Sequence, residues 1–390
     1  MFKAYDSRFL RAFLEAFTYE LKSIQRSWYK LFLITVLPII SFILIIAIFN
    51  AGVVRDMPIA VVDNDRSQLS RMVLTNLDAS PTIEISAMPS SVKEAVNLVK
   101  STKAYAVVII PENFSKNTLL GKHPHVTAMI NTQYILIGKI LTSALSSTIM
   151  TSSAQVEYVK NLVDLQNPQA TINSIAPIGI QITPFFNMYQ NYFYFLVSAL
   201  LPAIWQIFIV VATLVSVGVM FKEKKEKIFF KESKYIAARL TGLLLPYTIA
   251  FMALGTGYLF YLYSMWEFQG SFTLLLFGMF LTIAAYQIIA LMLFATSFDY
   301  ARSLSLGAVY TAPAFAFLGI TFPLYNMNGF ALFWRDILPV SHYMQLQLSQ
   351  ANYGANIFLE ADKLWTLFAF WLLFIPVVLM FKKRMTKELS

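Results

Sequence analysis

The chain has 390 residues, 57% of them hydrophobic and 13% charged, with a mean hydropathy of +0.61. A soluble globular chain carries about 25% charge, so the composition excludes an ordinary soluble domain and indicates an integral membrane protein. The net charge of +9 reads as topology rather than nucleic-acid binding, because cytoplasmic loops collect Lys and Arg; with no cysteine there is no disulfide framework, thiolate metal site or Cys nucleophile.

Residues 1–30 pattern as an amphipathic helix. Phe9, Phe13 and Phe17 recur at i, i+4 with Leu10, Leu14 and Leu21 beside them, and Lys3, Arg8, Arg11, Lys22, Arg26 and Lys30 supply a basic side. Such a helix suits the membrane surface, or a partner protein. Residues 31–50 form a first span, since Leu31–Phe49 has no charge and crosses about 30 Å of hydrocarbon as a helix. Its long basic leader and the poor small-residue site at Phe49-Asn-Ala-Gly weigh against a cleaved signal peptide.

A polar block, residues 54–190, follows. Ile59–Val62 reads as a strand ending at Asp63-Asn-Asp, Ser67 as the cap of a helix, Thr82–Ser86 as a strand, and Ser90 or Ser91 as the start of a second helix. Ala104–Ile110 is a continuous apolar run, as in a buried central strand, stopped by Pro111. A short helix, a strand at Val126–Ile130 and a long Ser/Thr/Ala-rich helix from Tyr134 complete an α/β domain. The composition of that last helix suits a stalk or a neighbour's surface more than a deep core. Asp63, Asp65 and Arg66 read as a turn network. His123-Pro-His125 lacks enough ligands for a metal site.

Residues 191–381 hold five further apolar segments: Asn191–Phe221, Leu240–Met265, Gly270–Phe298, Ser303–Phe322 and Leu364–Phe381. The predicted fold class is therefore an α-helical integral membrane protein with about six transmembrane helices and an inserted extracytoplasmic α/β domain. A hairpin over residues 323–345, interrupted by Arg335, Asp336 and Pro339 after Pro323, reads as re-entrant. Lys and Arg concentrate in the amino-terminal segment, the loop 222–239, the Asp299–Arg302 turn and the tail 382–390. Both termini are thus expected in the cytoplasm and the polar block outside.

The span interiors carry no ionisable residue, which disfavours a proton-coupled carrier. The Gly-Lys pairs at 121–122 and 138–139 precede His and Ile, so neither is a P-loop. If ATP drives this chain, another subunit binds it. The loop 222–239, with Lys222, Glu223, Lys224, Lys225 and Lys227 framing Ile228-Phe229-Phe230, is the candidate docking element for such a subunit, against the simpler reading of a solvated loop. Gln206, Thr213, Gln287, Thr311 and the neighbouring Phe315 are candidate pathway residues; interhelical hydrogen bonding is the alternative role for the polar ones.

The ordered fragments carry a resemblance. Pro58–Ser70, Tyr105–Phe114 (YAVVIIPENF), Asn131–Gly138, Phe317-Leu-Gly-Ile-Thr-Phe-Pro323 and Leu338-Pro-Val-Ser-His-Tyr343 resemble, in that order and spacing, the permease subunits of ABC-2 type exporters, in the bacterial group with a large domain after the first span. The resemblance implies an inner-membrane permease that pairs with a second permease, as homo- or heterodimer, and with two cytoplasmic ABC ATPase subunits. It places ATP and magnesium on those subunits and no cofactor or catalytic residue in this chain. It implies a coupling helix in the loop 222–239, a periplasmic membrane-fusion adaptor as a candidate partner of the outer domain, surrounding membrane lipid, and a hydrophobic or amphipathic cargo moved outward. In the coupling loop Lys222-Glu223 matches the family pattern, while Lys-Ile-Phe-Phe stands where Gly-Thr is common. An envelope receptor or secretion scaffold without transport activity is the competing class.

Overall fold

The computed structural model describes residues 6–122, 124–165, 191–230, 233–265, 270–319 and 324–389. His123, Tyr189, Lys231 and Pro323 fall outside these ranges, as do the expected ends of the polar block and of the fifth span. The chain divides into two units, one of Met1–Gly52 with Pro184–Ser390 and one of Val53–Thr183.

Helix α1 (Asp6–Arg26) buries a face other than the one its large apolar residues define. Phe9, Leu10, Leu14 and Leu21 are exposed, whereas Ala12, Ala16, Glu20 and Ile24 are buried. These four repeat every fourth residue, one stripe along a helix, and the small members allow close backbone approach. A Cβ on Gly242 would lie 2.3 Å from the Phe13 carbonyl oxygen, so α1 lies directly against the helix containing Gly242. Lys30, expected on the solvated side, is instead buried. Helix α2 (Trp28–Phe49) has a π-turn at Phe32–Val36 just ahead of Pro38, which has no N–H to continue the regular ladder. After α2 the chain turns at Gly52, whose φ of +66° suits glycine. A Cβ there would lie 2.8 Å from Asn191 Oδ1.

The second unit is a four-stranded sheet of order β2-β1-β3-β4. Strand β1 (Met57–Asp63) is followed by α3 (Gln68–Asp78), β2 (Ile83–Ala87), α4 (Val92–Lys100), β3 (Ala106–Ile110), α5 (Phe114–Leu119), β4 (Thr127–Ile130) and α6 (Ile135–Leu165). β1 is parallel to β2 and β3, and β4 runs antiparallel to β3. Side chains alternate across a strand, and both faces are covered. Ile59, Val61 and Val108 pack with Leu77 of α3 and Leu141 and Leu145 of α6; Ala60, Val62 and Val107 pack with Ala95 of α4. The first half of α6 is therefore a core helix, contrary to its stalk-like composition, while Ser152 and Gln155 farther along hydrogen-bond Asn76. Asp63 accepts from the Asp65 and Arg66 amides and the Ser70 hydroxyl. Asp65 accepts from the Ser115 amide, so these carboxylates close a turn network.

In the first unit the chain continues through α7 (Tyr192–Lys222), α8 (Glu226–Phe229), α9 (Ile236–Met265) and α10 (Phe272–Ala295). Among the described residues, five helices are long and apolar enough to cross a membrane: α2, α7, α9, α10 and α15 (Ala361–Thr386). α10 is apolar all round and mostly buried, as a central helix must be. The expected fifth span is broken. α11 (Tyr300–Thr311) stops before Pro313, which cannot donate to the ladder, and a single turn, α12 (Ala314–Phe317), follows. The hairpin beyond comprises α13 (Gly329–Asp336) and α14 (Pro339–Gln347), with Pro339 in the first turn of the second helix. Arg335 and Asp336 pair at 2.6 Å, and Tyr310 of α11 donates to the Ile337 carbonyl at the bend.

Candidate functional site

The chain between α7 and α9 is anchored from beneath. Lys224, at φ +54°, reverses the chain after α7 and sets up α8. Lys222, Glu223, Lys224, Lys225, Lys227 and Ile228 are exposed, with Ile228 at 77%, while Phe229 and Phe230 are buried. Of the predicted three-residue apolar patch, only Ile228 is thus presented outward. Phe230 stacks near Phe381 of α15 at 5.8 Å between ring centroids. Phe381 in turn meets Phe221, Phe294 and Phe298, the ends of α7 and α10. Aromatic pairs of this kind add about 0.5–1.5 kcal/mol each beyond burial, so Phe230 holds the loop to α15 directly and, through Phe381, to the ends of α7 and α10.

Helix α1 grips the other side of the loop. Tyr19 packs on Phe229 at 5.1 Å, and the Arg239 guanidinium lies 5.8 Å from the same ring. Arg239 also reaches Glu15 at 3.2 Å, and Arg11 bonds Glu15 at 3.1 Å. Burial works against ionisation of Glu15, but the hydrogen bonds and charges of Arg11 and Arg239 outweigh it and hold the carboxyl below its ordinary range. Lys225 is raised by its hydrogen bond and charge interaction with Glu223, 2.5 Å away.

Below the loop sits a buried polar hub. Glu20 Oε1 accepts from Lys30 Nζ at 2.7 Å, Tyr247 Oη at 2.6 Å and Ser216 Oγ at 2.9 Å. Lys30 also donates to Ser23 Oγ at 2.9 Å. The hub ties α1 to the start of α2, the last turns of α7 and the first half of α9. Its sequence signal is Glu20 itself, a carboxylate set in the Ala12–Ala16–Ile24 stripe, where an unpaired charge would be costly to bury.

Beside the loop a cleft of about 800 Å³ is lined by Lys222, Lys224, Glu226 and Lys227 of the loop, Asp299 and Tyr300 of the next turn, and Arg384 of α15. The close approach of α7 and α11 here needs Gly218, whose Cβ would fall 2.1 Å from the Tyr300 ring.

The candidate pathway residues separate. Gln206 is buried and donates to the Thr311 carbonyl at 3.3 Å, joining α7 to α11. Thr311 and Thr213 bond carbonyls of their own helices, and Gln287 bonds Thr248 and the Leu244 carbonyl. Phe315 is 40% exposed. The Gln206 Oε1 atom has no partner among the described residues.

A comparison with curated proteins finds no match. The family model described as "ABC-2 family transporter protein" matches residues 28–381, from the first turn of α2 to Phe381 beneath the loop. The chain belongs to the ABC-2 transporter family, as a multi-pass membrane protein of the permease type.

Proposed function

We propose that this chain is the membrane-spanning permease of an ATP-driven exporter and that force enters at Lys222–Phe230. The carrying observation is the division of that loop into an exposed rim, Lys222–Lys225 with Lys227 and Ile228, and a buried footing, Phe229 and Phe230. A rim that binds a moving subunit and a footing locked to α1, α7, α10 and α15 transmit displacement, because packed interfaces shift as units rather than deform. The force-generating partner is a pair of cytoplasmic ABC ATPase subunits that hold the ATP and magnesium.

A second permease, identical or related, completes the pathway, and α7 and α11 face it. Helix breakage at Pro313 and the orphaned Gln206 oxygen support a changeable contact between these helices. The cargo is hydrophobic or amphipathic. Support comes from a sideways-open apolar groove of about 280 Å³ between Phe42 and Ile43 of α2 and Leu254 and Gly257 of α9. The expected setting is the bacterial inner membrane, with both termini cytoplasmic. Residues 54–190 then lie outside, where a periplasmic membrane-fusion adaptor is the candidate partner of the α/β domain. The Lys and Arg in the loop after α7 and in the tail support this orientation.

The test is charge reversal of the rim. Lys224→Glu, Lys225→Glu and Lys227→Glu together should reduce co-purification of the ATPase subunit while membrane insertion is unchanged. Undiminished ATPase recovery would remove this loop from the docking role.

A further inference from the structure

A cavity of about 280 Å³ opens beside the Glu20 hub, at the ends of two spans: α2 begins there and α7 finishes there. Its lining carries four cations, Lys22, Arg26, Lys30 and Lys225, against two carboxylates, Glu20 and Glu223. Lys30 is committed to Glu20 and Lys225 to Glu223. Lys22 and Arg26, one helical turn apart on α1, have no ion pair or hydrogen bond among the described residues. The cavity therefore holds an uncompensated charge of +2, four minus two.

Glu20 adds a requirement of a different kind. Its Oε1 accepts three hydrogen bonds, but its Oε2 is buried and has no donor among the described residues. A buried carboxylate oxygen without a donor is costly. The cavity thus calls for an anion that also carries a hydrogen-bond donor. Directly beside it Trp28, Tyr29, Leu31 and Phe32 are exposed at the start of an apolar span, where aromatic rings mark the membrane–water boundary. The anion's carrier therefore has apolar chains that lie along α2.

We propose that this cavity binds the headgroup of an anionic, hydroxyl-bearing phospholipid of the phosphatidylglycerol type. The phosphate takes Lys22 and Arg26, a headgroup hydroxyl donates toward Glu20, and the acyl chains run down the exposed face of α2. A lipid held there braces α1 against α2 and α7, and α1 also grips the loop footing through Tyr19. The cavity shares Glu223 and Lys225 with the docking rim, but its test rests on Lys22 and Arg26 and involves no second protein.

The experiment uses the full chain, purified and stripped of lipid, with bound lipid measured by native mass spectrometry. Phosphatidylglycerol should bind clearly more tightly than phosphatidylcholine, whose phosphate is present but whose choline has no donor. Lys22→Ala with Arg26→Ala should weaken phosphatidylglycerol about 30-fold, at about fivefold per charge. The exchanges Lys22→Arg with Arg26→Lys should retain binding, as should Lys382→Ala with Lys383→Ala, a matched charge loss on the exposed tail. Equal binding of the two lipids, unaltered binding by the Lys22/Arg26 double alanine variant, or equal weakening by the tail variant overturns the proposal. So does saturation of the cavity by glycerol 3-phosphate at the same concentration as the lipid, which would assign it to a free phosphate.

Discussion

Lys30 Nζ lies 2.7 Å from Glu20 Oε1, ten residues earlier in the chain, and both side chains are at most 3% exposed. Two helices that a sequence pattern treats separately, the amphipathic leader and the first span, are thereby bolted together. The same carboxylate also receives Ser216 and Tyr247, so two further spans share the bolt.

Breaking one half of a buried pair leaves a charge without compensation, at a cost of about 3–5 kcal/mol. Glu20→Gln and Lys30→Met should each lower the thermal unfolding midpoint of the purified protein sharply. The double variant Glu20→Gln with Lys30→Met should lose clearly less than the sum of the two single losses. Additive losses in that double-mutant cycle would show that the two groups do not act as a pair.

Gly242 is the backbone contact that sets the depth of α1. A side chain there meets the Phe13 carbonyl oxygen, which cannot rotate away. Gly242→Val should lift α1 from α9, and limited trypsin digestion should then cut at Arg11 and Lys22 faster than in the wild type. Unchanged digestion rates at those sites would contradict the packing.

The loop's two halves should separate experimentally. Phe230→Ala removes a fully buried ring and should cost about 3–5 kcal/mol of stability. Ile228→Ser changes an exposed residue and should stay within about 0.5 kcal/mol, yet weaken recovery of the ATPase subunit. Thermal melts and co-purification on the same samples distinguish the two effects.

Acid should loosen the grip of α1 on Arg239. Because the folded protein holds the Glu15 carboxyl below its ordinary 4.5, the interaction stabilises fully above that value and fades as pH falls through the lowered one. Glu15→Gln should therefore melt slightly below the wild type at neutral pH, and the difference should close in acid. Glu15 is half exposed, so the gap is small at any pH. A gap that widens below pH 4.5 would reverse the sign.

The architecture follows local rules closely, and those rules show where the sequence is legible. The short apolar runs of β1 and β3, the Ser67 cap and the long uncharged stretches are local, and they mark the inserted α/β domain and most of the spans. Three features depend on tertiary context instead. Pro313 stops α11 although its surroundings are apolar enough for a span. Phe230 turns inward because Phe381, about 150 residues on, offers a ring to pack against, and Phe229 because Tyr19 of α1 does. Lys30 is buried because Glu20 lies across from it, a pairing that hydropathy scores as two separate polar residues. Of the candidate pathway residues, polarity alone picks out Gln206 and Thr311, but only the fold brings Gln206 to the Thr311 backbone.

Gly52 and Asn191 stand at the exit and the return of the chain around the inserted unit, and the glycine is pressed against the Asn191 amide group. Asn191 meanwhile caps α7 through the Phe193 amide at 2.9 Å. The two chain ends that leave the helical bundle are thus fastened to each other within the bundle. Removing the module between them would leave a gap that a few residues can close, at a loop-closure entropy that grows only slowly with length. An evolving lineage can exchange the inserted module while the helices of the first unit keep their packing.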